Sequence, residues 1–146
     1  MRYEYFNPNP KLRYKADGTP MGHHKGDCTT RALCKALNLT WKEAFKLQCE
    51  KAMEVCDNTT AKEVTEKILL ENGFKKGKID MDVVRKTHRR PTVRMLANEI
   101  GNSITDEFGD ANVVYNCTNH VVAGKADIIY DVFDSGDEVV WSFYYK

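Results

Sequence analysis

The chain has 146 residues, a length typical of one compact domain with a core large enough to fold without disulfide bridges. Hydrophobic residues make up 42% of the chain and charged residues 29%, which excludes a disordered protein. The 22 basic and 21 acidic residues leave a net charge of +1, so we expect no nucleic acid and no membrane as partner. The sequence contains neither an apolar run of the ~18 residues that a membrane span needs nor a signal-peptide pattern, and we therefore expect a cytoplasmic protein.

The amino-terminal half predicts an arm followed by helices. The first 25 residues are expected to form an extended arm, because Asn7-Pro8-Asn9-Pro10 contains two X-Pro pairs, which disfavour helix. Asp27 is the predicted N-cap of a first helix, whose apolar residues follow at helical spacing. Capping-box patterns that begin at Thr40 and at Thr60 predict the starts of a second and a third helix.

A strongly basic stretch follows the third predicted helix. Residues 75–94 carry eight basic side chains against two acidic ones, whereas residues 104–140 carry one basic side chain against eight acidic ones. The basic stretch is predicted to be a solvated loop, ending in a short helix that runs from Pro91 to Gly101. Nucleic-acid binding through this stretch is a minor alternative, since no interleaved aromatic residues are present to stack on bases.

From Ala111 onward the periodicity changes from helical to strand-like. Four β-branched or aromatic runs predict strands over residues 112–116, 120–123, 128–133 and 138–144. Helices first and strands last favour the α+β class, with amino-terminal helices packed on a carboxy-terminal antiparallel β-sheet. Because the chain shows no linker and no internal repeat, residues 1–146 are predicted to form a single domain.

One of the five cysteines differs chemically from the others. No cysteine pair has the C-x-x-C spacing of a zinc site, so we predict free thiols and neither a metal nor a cofactor. Gly26-Asp27-Cys28 lies where a loop becomes a helix, and the amino end of a helix lowers the pKa of a thiol. Cys28 is therefore the candidate nucleophile. The remaining cysteines are expected at core positions, namely Cys34, Cys49, Cys56 and Cys117.

A nucleophilic thiol needs a base that is held by a third group. His120 is the histidine that lies in a strand pattern, and Asp131 and Asp134 follow on the next predicted strand. Either carboxylate can face the imidazole across a hairpin, depending on the register of the two strands. A loop centred on residues 125–126 places Asp131 opposite His120, whereas a loop of residues 126–128 places Asp134 there. The residues alone leave this choice open.

Three segments of the sequence resemble a known family. They are Gly26–Leu33 (GDCTTRAL), Asn119–Ala123 (NHVVA) and Ile129–Ser135 (IYDVFDS). They resemble the papain-like cysteine peptidase superfamily, and within it small cysteine peptidases encoded by phages and gut bacteria. The resemblance spans nearly the whole predicted core and implies a papain-like fold.

The resemblance also implies a catalytic triad of Cys28, His120 and Asp134. Asp134 is preferred to Asp131 because Asp134-Ser135 stands where papain-like enzymes often have Asn-Ser. The implied activity is a cysteine hydrolase that cleaves a peptide, isopeptide or related amide bond in a peptide or protein substrate, without a cofactor. The acidity of the carboxy-terminal third favours an imidazolium at His120 and, secondarily, cationic substrates.

The sequence departs from the papain pattern before the nucleophile. Gly22 stands about where papain has the glutamine of its oxyanion hole. The second oxyanion donor is then expected among His23, His24 and Lys25, beside the backbone N–H of Cys28. This departure motivates an alternative, in which a catalytically inactive papain-like fold acts as a protein-interaction module.

Overall fold

The structure is a computed structural model that describes residues 1–11, 16–19, 26–101 and 110–146. Its helices are α1 (Cys28–Leu37), α2 (Trp41–Val55), α3 (Lys62–Glu71), α4 (Met81–Thr87) and α5 (Val93–Gly101). Its strands are β1 (Arg2–Tyr5), β2 (Lys75–Lys76), β3 (Asn112–Cys117), β4 (Val121–Lys125), β5 (Ile128–Asp131) and β6 (Val140–Tyr145). None of the helices in these ranges is long and apolar enough to cross a membrane.

The six strands form one mixed sheet in the order β1-β5-β4-β3-β6-β2. All neighbouring strands are antiparallel except β1, which runs parallel to β5 at one edge. The predicted α+β class, with helices in the amino-terminal half and strands in the carboxy-terminal half, is confirmed. The predicted extended arm is in part a strand, because the backbone of residues 2–5 pairs with the otherwise open edge of β5.

Both faces of the sheet are buried, which explains why its central strands are apolar runs. Successive residues of β3 alternate between the faces: Val114 packs against the side covered by α1, α2 and α3, whereas Val113 and Tyr115 pack against α5. The helices α1 and α5 therefore lie on opposite faces. Helix α1 packs on β4 and β5, and the bond from Arg31 to Asp131 places its first turn near the carboxyl end of β5.

The starts of α1 and α2 agree in position with the sequence prediction, and the start of α3 differs by one residue. The capping box of α2 is present, with Thr40 and Glu43 bonding each other's backbone N–H groups. The N-cap of α3 is Ala61 rather than Thr60, and it makes no side-chain cap bond. Asp27 does occupy the N-cap position of α1, but its side chain caps no backbone N–H there.

The predicted basic loop contains a helix. Helix α4 begins after Asp80, whose carboxylate accepts hydrogen bonds from the N–H groups of Asp82 and Val83. The helix ends at His88, which has a left-handed backbone with φ of 55°. No residue of α4 is buried, so the loop prediction was wrong in secondary structure and right in exposure. The short helix predicted after Pro91 is confirmed as α5.

Candidate active site

The three elements that meet at one end of the sheet each contribute a reactive side chain. Cys28 is the first residue of α1, His120 lies directly before β4, and Asp131 is the last residue of β5. The backbone N–H of Cys117 donates to the carbonyl of His120 at 2.8 Å, which closes the tight turn between β3 and β4. This turn fixes the backbone from which the imidazole projects.

The thiol of Cys28 and the imidazole of His120 are neighbours, and their interaction shifts the pKa of both groups. Burial raises the pKa of the Cys28 thiol. The hydrogen bonds from His120 and from the backbone of Val121, with the positive charges of His120 and Arg31, more than offset burial, and the pKa falls below its ordinary value. Cys28 is also partly exposed, so a reagent or substrate can reach it. These are the properties of a nucleophilic thiolate.

His120 is held on its other side by a carboxylate. Its Nε2 lies 2.5 Å from Oδ2 of Asp131, which leaves Nδ1 as the ring nitrogen that faces the thiol. Burial lowers the pKa of His120, but the hydrogen bonds with Asp131 and Cys28 raise it to about 9. The imidazole is therefore protonated at neutral pH. The ring of Phe133 packs against it, with the two ring centroids 5.1 Å apart.

The predicted contact between Asp134 and His120 is wrong. Asp134 is exposed, and its carboxylate binds Arg94 at 3.3 Å instead. The hairpin has a two-residue turn at 126–127, so Lys125 pairs with Ile128 in a register between the two that the sequence left open. Continued along the strands, this register places Asp131 diagonally across from His120 on the same face of the sheet, and Asp134 on neither strand.

Both oxygens of Asp131 are fully engaged. Oδ1 accepts from the backbone N–H of Val132 at 2.7 Å and from Arg31 at 3.2 Å. Oδ2 accepts from Ser135 Oγ at 2.8 Å in addition to its contact with His120. Burial raises the pKa of Asp131, but the bond with His120 and the other donors lower it below its ordinary value. The carboxylate is thus ionised and fixed in one orientation.

Sequence reasoning missed Arg31, which connects Asp131 to α1, the helix that begins with Cys28. Arg31 is buried one turn after Cys28, and its two terminal nitrogens bind Asp27 and Asp131. Asp27 also accepts from Asn9 Nδ2 at 2.9 Å and from Trp41 Nε1 at 3.0 Å. The available signal was the i, i+4 spacing of an acid and an arginine across the helix start.

The same network leaves the first turn of α1 open to a ligand. Because the side chain of Asp27 binds Arg31, it does not cap the amides of this turn, and the first backbone bond of the helix is the one from Arg31 N to Asp27 O. The N–H of Cys28 therefore has no partner within the helix and suits the oxyanion of an attacked carbonyl. The expected second donors, His23, His24 and Lys25, lie outside the described residues.

The other four cysteines lack this environment. Burial raises the pKa of Cys34 to about 11 and that of Cys117 to about 12. Cys49 is half-buried, and Cys56 is exposed at the end of α2, so its prediction as a core residue was wrong. Within the described part of the chain, no group of three or more His, Cys, Asp or Glu side chains could hold a metal ion.

Comparisons with known proteins add nothing to this geometry. No protein-family model matches the chain, and no curated protein and no solved structure shows significant similarity to it. The function must therefore be argued from the site itself.

Proposed function

We propose that this protein is a papain-like cysteine hydrolase that cleaves a peptide, isopeptide or related amide bond of a peptide or protein substrate. The observation that carries the proposal is the grouping of Cys28, His120 and Asp131: the partly exposed thiol neighbours His120, and Nε2 of His120 lies 2.5 Å from the buried carboxylate of Asp131. This order of nucleophile, base and orienting acid is the arrangement that covalent acyl transfer requires. The free thiols fit a cytoplasmic location.

In the proposed reaction, the Cys28 thiolate attacks the carbonyl carbon of the substrate. The carbonyl oxygen becomes an oxyanion, which the N–H of Cys28 at the start of α1 stabilises. His120 protonates the leaving amine, so that a thioester remains on Cys28. His120 then takes a proton from water, whose oxygen attacks the thioester and releases the acid and the thiolate. Asp131 holds the imidazole in the orientation that both proton transfers need.

The proposal predicts an unusually reactive Cys28. Iodoacetamide should alkylate Cys28 faster than the other four cysteines and should remain fast at pH 6, because the thiolate persists there as an ion pair with His120. Mass mapping of the labelled peptides identifies the site, and His120→Ala is the matched variant that should slow it. Labelling of Cys56 first, or a rate that rises only near pH 8.5, would contradict the assignment.

Cleavage separates a hydrolase from the alternative, an inactive papain-like fold that binds other proteins. The alternative is motivated by Gly22, which stands where papain has its oxyanion glutamine. The protein should release new amino termini from a peptide library derived from whole-cell digests, as detected by mass spectrometry, and Cys28→Ala should release none. A fast-reacting Cys28 without any cleavage would favour the interaction module.

A further inference from the structure

An exposed aromatic side chain with two cations lies beside the candidate active site. Trp141, near the start of β6, is 46% exposed although it is one of the largest apolar side chains of the protein. The Arg90 guanidinium carbon lies 4.0 Å from the centroid of the indole, and Nζ of Lys62 lies 5.8 Å from it. We call these three residues the Trp141 patch.

The patch is tied to the turn that carries the base. The indole Nε1 donates to Oγ1 of Thr118 at 3.0 Å, and Thr118 lies in the turn that ends at His120. The patch therefore lies at the end of the sheet that carries His120, the neighbour of Cys28.

The two cations of the patch lack an acidic ion-pair partner within the described part of the chain. Neither Lys62 nor Arg90 forms an ion pair with a described residue. Three acids lie in the loop before β6. Asp134 and Asp137 bind Arg94, and Glu138 forms no ion pair with a described residue. The patch therefore combines an apolar platform with an excess of positive charge.

We propose that the Trp141 patch is a substrate subsite for an acidic side chain, Asp or Glu, close to the scissile amide. The indole face contacts the methylene groups of that side chain, while Lys62 and Arg90 bind its carboxylate. The inference rests on the proposed hydrolase function. It reverses the expectation of cationic substrates, because the acids that motivated it, Asp131 and Asp134 among them, are engaged by cations in the structure.

A set of peptidyl chloromethyl ketones tests the subsite through inactivation of Cys28. Three pairs of inhibitors are compared, one for each of the three residue positions before the reactive ketone. The two members of a pair differ only in having Asp or Asn at that position. At one position or more, the Asp compound should inactivate the protein about fivefold faster than its Asn isostere, and added salt should reduce the difference. The double variant Lys62→Gln, Arg90→Gln should remove the difference but leave the rate of iodoacetamide alkylation unchanged.

Lys86→Gln is the matched control, because Lys86 is an exposed cation of α4 outside the patch, and the preference should survive in it. Equal rates for Asp and Asn with fast iodoacetamide labelling of Cys28 would overturn the subsite alone, as would a preference that survives in the double variant. Slow iodoacetamide labelling of the wild-type protein at pH 6 would overturn the hydrolase function and the subsite with it.

Discussion

Two charged regions of this protein lie in opposite environments. In the candidate active site, Asp27, Arg31 and Asp131 are 8%, 6% and 2% exposed, and each of them binds at least two partners. In α4, by contrast, the Arg85–Asp82 pair has side chains that are 75% and 79% exposed. The contrast shows that the consequence of a charge depends on its burial more than on the number of charges nearby.

The difference in burial bears on the chemistry of the site, because the buried charges shift the pKa values of its side chains. In a low-dielectric environment the interaction between two charges is strong, and the fixed carboxylate of Asp131 together with Cys28 raises the pKa of His120 to about 9. Charges on α4 are screened by water and salt and act weakly over the same distance. A buried network is also expensive to break, since a lost partner leaves a desolvated charge behind.

The largest effect is expected from Arg31→Met, which tests whether the buried network holds the protein together. The substitution leaves Asp27 and Asp131 without their shared cation, and the free energy of unfolding should fall by about 3–5 kcal/mol. Urea unfolding measures the loss. Arg31→Lys keeps the positive charge but cannot bind both carboxylates through two separate nitrogens, so it should recover only part of the lost stability. A loss below ~1 kcal/mol for the methionine variant would mean that the two regions do not differ as argued.

The second expected effect distinguishes the two aspartates that the sequence left open. Asp131→Asn removes the charge that raises the pKa of His120, so the ion pair weakens and alkylation of Cys28 at pH 6 should slow by about tenfold, one pKa unit. Asp134→Asn is the matched control and should leave the rate unchanged, because Asp134 binds Arg94. The pH profile of alkylation by iodoacetamide is the measurement. A larger shift for Asp134→Asn would restore the sequence-based triad.

Two residues of the candidate site, Cys28 and His120, could be proposed from local sequence signals, whereas the carboxylate that contacts His120 could not. Cys28 and His120 follow from local signals, a helix start and a strand pattern, and these do not depend on pairing between strands. The partner of His120 depends on a hairpin register, which a single residue in the turn changes. The structure has a turn at 126–127, with Ala126 at φ 51°, and the left-handed backbone of an alanine has no signal in the sequence.

The fold shows the same division between local and distant causes. The class and α2 could be predicted, because a capping box is a local hydrogen-bonded unit. Strand β1 could not, since it exists only through pairing with β5, which follows more than 120 residues later. Arg31 was missed for the same reason: a buried arginine is stable only beside acids, and Asp131 lies 100 residues away in the chain.

A smaller effect is expected on the pH dependence of the free energy of unfolding. Measuring it isolates the contribution of one buried charge, that of His120. His120 has a folded pKa above the unfolded value of about 6.5, so its contribution to stability is complete below that pH and is lost as pH rises towards 9. Cys28, whose pKa is lowered, contributes stability above its unfolded pKa and loses it as pH falls, and the two contributions partly cancel.

Cys28→Ser removes this compensation while Asp131 still binds the imidazole. Its free energy of unfolding should fall by about 1 kcal/mol between pH 6.5 and 9 relative to the wild-type protein. Urea unfolding at a series of pH values measures the difference. Adding His120→Asn to the serine variant should abolish the additional slope, and a slope that persists in the double variant would assign it to another group.

The smallest effect is expected from Arg85→Ala, which tests the exposed side of the comparison. Arg85 binds Asp82 at 3.0 Å, the same kind of contact that Arg31 makes with Asp131, but both side chains lie in water. Solvent screens the attraction and the side chains lose entropy by pairing, so the free energy of unfolding should change by no more than about 0.5 kcal/mol. Asp80→Ala on the same helix should cost more, about 1 kcal/mol, because Asp80 caps two backbone N–H groups. Urea unfolding of both variants gives the order, and a greater loss for Arg85→Ala would show that α4 contributes buried contacts to the fold.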